Sequence, residues 1–260
     1  MGSTNTVPQA LFGPGILYLT RTDIANATPT NVGYVNEFST DIKFDLKELY
    51  GQNQLPLVVA RGTAKCTGKI KAATLSGQAL NALLFGTGTS VVTGTQYGLT
   101  QTGLTLIPAT PYQITPTIPS SGVFNSDLGV VYTSGEPLTF IPSGTPAAGQ
   151  YTQSAGAYTF SSADHTAGLS VNISFSYSFT NAAGQTITIN NPLIGQTPTF
   201  QLDYMNVLYG SIYYMRLFAA VGGGWTEGFK LTDFSMPEYD FGFFANASQQ
   251  LGFIALATQA

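Results

Sequence analysis

The stretch Asp41-Ile-Lys-Phe-Asp-Leu-Lys47 alternates polar and apolar residues one by one, and Ala64-Lys-Cys-Thr-Gly-Lys-Ile-Lys71 largely does the same. Successive side chains of a strand point to opposite faces, so a period of two is a strand signal. In the first arm Asp41, Lys43, Asp45 and Lys47 share one face, and Ile42, Phe44 and Leu46 share the other. In the second arm Lys65, Thr67, Lys69 and Lys71 oppose Cys66 and Ile70. Between the arms, Tyr50-Gly-Gln-Asn-Gln-Leu-Pro56, with Asn53 at its centre, reads as the tip of a long β-hairpin. Paired arms set the Asp/Lys face of one beside the Lys face of the other, and opposite charges across strands contribute about 0.2–1 kcal/mol per pair. A merely solvated sheet face is the plain alternative.

Working outward, Ser76-Gly-Gln-Ala-Leu-Asn-Ala-Leu-Leu-Phe85 carries the one helix signal, with a capping Ser at its start and Gly86 at its end. Leu80, Leu83 and Leu84 form an apolar stripe on a helix short enough to need a sheet to dock on. In the middle of the chain, Pro108, Pro111, Pro116 and Pro119 argue against a helix. From Leu169 to Phe179, apolar residues alternate with Ser170, Asn172, Ser174, Ser176 and Ser178, which predicts a strand with one greasy and one hydroxyl face. Asn181-Ala-Ala-Gly184 reads as a turn into a partner strand at Thr186–Ile189. The tail resumes with strands at Thr199–Tyr204, Ile212–Ala219 and Phe229–Phe234 and an aromatic run from Tyr239 to Phe244, with Gly222–Gly224 as a turn. The fold class is therefore mainly β: two packed β-sheets, sandwich- or barrel-like, one flanking short helix and an inserted β-domain. Residues 1–92 and 196–260 form the core and 93–195 the insertion.

Charge divides the chain in the same way. Only 8% of the 260 residues are charged, against about 25% in an ordinary soluble domain. Residues 1–71 hold seven Lys/Arg and five acids, whereas residues 72–215 hold four acids and no basic side chain. A surface covered by Ser, Thr, Asn, Gln and Gly suits lateral packing, because desolvating hydroxyls and amides costs less than desolvating charges. The net charge of −4 argues against affinity for phosphate backbones. The single Cys66 rules out an internal disulfide framework. The opening Met1–Gly15 shows no basic region followed by a long apolar run, and no stretch approaches the roughly 20 apolar residues of a membrane helix. A soluble protein made in a reducing cytoplasm is the expectation.

Chemistry is hard to find. His165 is the only histidine and falls in a predicted hairpin loop, and Cys66 sits on an apolar strand face where a thiol behaves as a small hydrophobe. One Cys and one His cannot complete a structural zinc site, and Asp127 and Asp164 lack the spaced carboxylates that calcium takes. Gly222–Gly224 lacks the Lys-Ser/Thr of a phosphate loop. Neither a cofactor nor a metal is expected, and the chain reads as a structural subunit rather than an enzyme.

The extended Gly13-Pro-Gly-Ile-Leu-Tyr-Leu19, the alternating Asp41–Lys47, the tip Glu48–Pro56, Val58-Val-Ala-Arg-Gly62, Lys65–Lys71 and the helix 76–85 together resemble the tail tube (major tail) proteins of long-tailed bacteriophages. The likeness covers about residues 10–90 and, less clearly, the last 60. It implies a subunit of stacked, six-membered rings forming a tube that conducts DNA without binding it specifically. Such a subunit is assembled in the host bacterial cytoplasm, resides in the virion, and has as partners further copies of itself and other tail proteins, with no membrane. The hairpin 41–72 corresponds to the long loop that reaches a neighbouring ring, which makes Asp41, Lys43, Asp45, Lys47, Tyr50, Asn53, Arg61, Lys65, Lys69 and Lys71 the candidate contact residues. Five lysines against two aspartates on its polar face would grip DNA in a lumen, so an ion-paired subunit contact is expected, with Glu238 and Asp240 of a neighbour as acidic partners. The competing readings are another virion component, from head decoration or tail tip, and a carbohydrate-binding β-sandwich in which the 14 Tyr and Trp225 offer stacking faces.

Overall fold

The computed structural model describes residues 13–86, 92–189, 191, 193–195, 197–208 and 210–258; the reading of the first 12 residues lies outside these. The chain divides into two compact units, residues 1–91 with 187–260 and residues 92–186.

The first unit opens with β1 (Gly15–Arg21), β2 (Thr30–Tyr50) and β3 (Pro56–Ala72), then the helical turn α1 (Gly77–Leu80). The second unit holds β4 (Val92–Gln101), β5 (Thr105–Leu106), β6 (Gln113–Ile114), β7 (Val123–Tyr132), β8 (Thr139–Phe140), β9 (Gln150–Ser154), β10 (Ala157–Phe160), α2 (Ser162–Thr166) and β11 (Ser170–Thr186). The chain then returns to the first unit with β12 (Thr199–Leu208), β13 (Ser211–Thr226), β14 (Glu238–Phe243) and β15 (Gly252–Thr258).

In the first unit the strands run in the order β12-β1-β2-β3-β14-β13-β15, and β12 also pairs with β13, so six strands close into an antiparallel barrel. Along one edge β13 meets β12; along the other it meets β15 over Ser211–Leu217 and then β14 over Ala220–Thr226. Alternation sends Leu17, Leu19, Ile70, Phe200, Leu202 and Phe241 inward, where they are buried together. Phe38 stacks on Tyr204 at 4.4 Å between ring centroids and lies 6.1 Å from Phe241, tying β2, β12 and β14 across the interior. Such offset pairs add about 0.5–1.5 kcal/mol beyond burial.

The helix packs into the same core. Ser76 Oγ accepts from Ala79 N at 3.4 Å, as its position predicts, but only Gly77–Leu80 is α-helical, and Asn81–Phe85 widens into a π turn. The wider turn turns Ala82 as well as Leu83 toward the barrel, with Leu80 buried beside them and Leu84 packed at the margin. It also explains Gly222–Gly224, which is no turn but a bulge within β13. A Cβ on Gly222 would lie 2.2 Å from the Leu83 carbonyl oxygen, so the helix docks directly on bare backbone. Phe229–Phe234, expected as a strand, is irregular: it lies between Gly228 and Pro237, and the Asp233 carboxylate accepts from Phe234 N at 2.9 Å.

The second unit has β11 at its centre, flanked by β4 and β5 on one edge and β7 on the other, with a second sheet in the order β6-β10-β9-β8. Val171, Ile173 and Phe175 of β11 pack with Ile107, Tyr158 and Phe160. Asp127 accepts from the hydroxyls of Tyr151 (2.6 Å) and Tyr158 (3.0 Å) and from Gly129 N (3.0 Å). Burial first, and that hydrogen bond second, hold both phenols well above their ordinary range. Asn181–Gly184 does not reverse the chain; β11 bulges there and continues against β4 to Thr186, after which Ile187 joins the barrel core. The inserted unit therefore ends at 186 rather than at 195.

Gly222→Ala is expected to destabilise the chain by roughly 1–3 kcal/mol through overpacking. Gly223→Ala, whose Cβ meets nothing closer than 3.6 Å, is expected to be tolerated. Urea denaturation of the two variants checks this contrast.

Candidate functional site

The two arms of the predicted hairpin pair with each other from Val35↔Ala72 to Tyr50↔Pro56. At its root β1 covers β2 as far as Val35 and β14 covers β3 over Thr67–Lys71. Beyond that, residues 42–50 and 56–66 pair only with each other, and at about 3.3 Å per residue the ribbon extends about 30 Å past the barrel.

The ribbon buries almost nothing. Phe44 is 45%, Leu46 56% and Leu57 66% exposed, and Leu49, Val58 and Val59 are exposed as well. Because β3 carries an extra residue opposite the step from Phe44 to Leu46, Arg61 stands opposite Leu46 on the apolar face and lies over the Phe44 ring at 4.6 Å. Lys47, Ala60, Leu49 and Val58 share the other face by alternation, so apolar side chains emerge on both sides near the tip. Tyr50 donates to the Glu48 carboxylate, which holds its phenol above the ordinary range, and Asn53 lies exposed in the bend.

The charged residues are distributed differently from the expectation. Lys43 pairs with Asp41 (2.5 Å) and Lys47 with Asp45 (2.6 Å), each along its own strand. Lys69 and Lys71 belong to the barrel, not the ribbon: β14 sets Glu238 opposite Lys71 and Asp240 opposite Lys69. Glu238 pairs with Lys69, and with Lys71 at 3.3 Å. Hydrogen bonds from Lys69 and then Lys71 hold the Glu238 carboxyl below its usual range, and Glu238 in turn raises Lys69. The acids expected from a neighbour are thus supplied by the same chain, because the β3–β14 pairing places them there. Lys65 faces Lys43 directly and has no acid within ion-pair distance among the described residues.

A second polar cluster escaped the sequence reading. On the outer face of β12 and β13, Asp203 accepts from Gln201 Nε2 (2.7 Å), Arg216 Nε (2.5 Å) and the Tyr214 hydroxyl. The Arg216 guanidinium also lies 5.8 Å from the centroid of Phe253 on β15. Burial pushes the Asp203 carboxyl up, but the three hydrogen bonds outweigh it and hold the group below 3.8. Arg216 is the first basic residue after the stretch without Lys or Arg, and its pairing across the β12–β13 hairpin was the signal available.

The residues weighed for chemistry stand apart from these surfaces. His165 lies on α2 rather than in a hairpin loop, and its Nδ1 is 2.8 Å from the Ile107 carbonyl oxygen. Cys66 is half-buried opposite Ile42 in the barrel unit. Trp225 packs against the barrel core, so its ring is no open stacking face. Among the described residues no three His, Cys, Asp or Glu side chains group as a metal site, and no helix is long and apolar enough to cross a membrane. Neither protein-family models nor curated protein sequences give a match to this chain.

The sign of the Asp203 shift sets a pH test. Its folded value is depressed, so its contribution is complete above the unfolded value near 3.8 and is lost as pH falls through the lower folded value. Asp203→Asn is expected to cost about 1–3 kcal/mol at pH 7, and the gap from the parent chain should shrink below about pH 4. Urea midpoints of both proteins between pH 3 and pH 7 measure it.

Proposed function

We propose that the protein is a self-assembling structural subunit whose ribbon, residues 42–66, packs against another copy, and that its assembled form is a stacked-ring tube of the bacteriophage tail-tube type. The observation that carries this reading is the ribbon itself. A lone two-stranded hairpin is marginal in water, and this one exposes apolar side chains on both faces. Uncovered contiguous apolar surface on a folded chain marks an interaction site.

The edge strand β15 adds support. Gly252–Thr258 is uncharged, ends the strand order, and exposes Phe253, Ile254 and Leu256. An edge without charge or proline readily pairs with another chain, and closed rings are one arrangement that pairs every such edge. A net charge of −4 suits a conduit through which DNA passes without specific binding. Virion location, hexameric rings and further tail proteins as partners belong to this proposal.

The contact is more apolar than ionic. Four of the five lysines first assigned to it pair within the chain, and among the described residues Lys65 and Arg61 of the ribbon have no acid within ion-pair distance. Negative-stain microscopy of the purified chain is expected to show rings or hollow tubes, and a strict monomer at high concentration overturns the reading. Phe44→Ser with Val59→Ser should abolish assembly while the thermal midpoint of the monomer stays within a few degrees, because both side chains are exposed. Lys65→Glu should weaken assembly far less, and raising sodium chloride to 0.5 M should leave the particles intact.

A further inference from the structure

The outer face of the sheet formed by β4, β5, β7 and β11 in the inserted unit has a composition unlike the rest of the molecule. Val171, Ile173 and Phe175 of β11 are turned to the core, which sends Ser174, Ser176 and Ser178 outward. On β4, Tyr97 stands opposite Ser178 and Leu99 opposite Ser176, and these two side chains are 66% and 76% exposed. On the other side, Ser126 of β7 stands opposite Ser176, with Asn125 beside it. The result is a ridge carrying an open tyrosine ring beside a shelf of short hydroxyl and amide side chains.

The shelf is already organised. The Ser126 and Ser176 hydroxyls lie 2.5 Å apart, and Ser178 Oγ donates to Asn125 Oδ1 at 3.1 Å. A hydroxyl has one donor and two acceptor sites, so each retains capacity for an outside partner. The acids of this unit are Asp127, turned toward Tyr151 and Tyr158, Asp164, buried, and Glu136, in the turn after β7, and residues 72–215 contain no Lys or Arg.

We propose that this face binds a neutral polysaccharide, with a sugar ring against Tyr97 and its hydroxyls on the serine shelf. A polyanion, whether nucleic acid or acidic glycan, finds no cation here. An added peptide strand needs the backbone groups of an open edge, whereas this face offers side chains alone. An apolar protein surface would strip water from the shelf hydroxyls without replacing their hydrogen bonds. A neutral glycan brings an apolar ring face and its own hydroxyls, which match ridge and shelf together. The assignment does not depend on the tube reading.

Affinity electrophoresis of the full chain in native gels cast with dextran, laminarin, galactomannan or xyloglucan tests it. At least one polysaccharide should retard the chain. Tyr97→Ala should raise the dissociation constant about 3- to 10-fold, the amount an aromatic contact supplies. Tyr97→Trp should restore binding, and both variants should keep the parent thermal midpoint. Absence of retardation by all four, or retardation unchanged in Tyr97→Ala, overturns the proposal. So does a Tyr97→Ala chain whose sedimentation profile changes without any polysaccharide present, which would assign the face to a contact between copies.

Discussion

Closure of the barrel through the β12–β13 pairing determines what the rest of the first unit can do. Six strands and the helical turn 77–85 fill one interior, with Phe38, Tyr204 and Phe241 across it and Leu83 seated against Gly222. Beyond Cys66 at its base, the ribbon adds no side chain to that core among the described residues. The same two strands that supply Val35 and Ile70 to the interior therefore continue as a ribbon with no sheet on either side. That uncovered apolar surface is the ground for the proposal that another copy of the chain covers the ribbon.

The electrostatics follow from the same pairing. Because β14 lies against the root of β3, Glu238 reaches Lys69 and Lys71 and closes the seam of the barrel. Along β2, Asp41 and Asp45 each pair with the lysine two residues on, since residues i and i+2 share a strand face. These are exposed pairs, of small energetic value individually. With Lys69 and Lys71 in the barrel, residues 41–66 carry Lys43, Lys47, Arg61 and Lys65 against Asp41, Asp45 and Glu48, a net charge of only +1, which makes apolar burial the term that decides the proposed contact.

Much of this was legible in the sequence, and the failures have identifiable causes. Strict alternation over Asp41–Lys47 and Leu169–Phe179 marked strands correctly, in the second along one buried face and in the first with nearly every side chain exposed, and the Ser76 cap marked the start of the helix. Phe229–Phe234 has strand-forming residues but no neighbouring strand, and pairing is a tertiary fact that propensity does not contain. The Gly222–Gly224 bulge could not be told from a turn until the Leu83 carbonyl was placed against it. The unbroken apolar run Leu57-Val58-Val59 did hold a clue: where alternation lapses, a strand carries apolar side chains on both faces. Glu238 was named as a partner of the hairpin lysines, but that it comes from the same chain was hidden, because this depends on which strand neighbours β3, over 160 residues away in the chain.

The central claim is that residues 42–66 are covered by another copy of the chain. Backbone hydrogen–deuterium exchange of that segment, compared between a dilute monomeric sample and a concentrated assembled one, addresses it directly. The ribbon amides should exchange fast in the monomer and become strongly protected on assembly, while the barrel strands stay protected in both. Equal exchange of the ribbon in the two samples, with assembly verified in the second, would contradict the account.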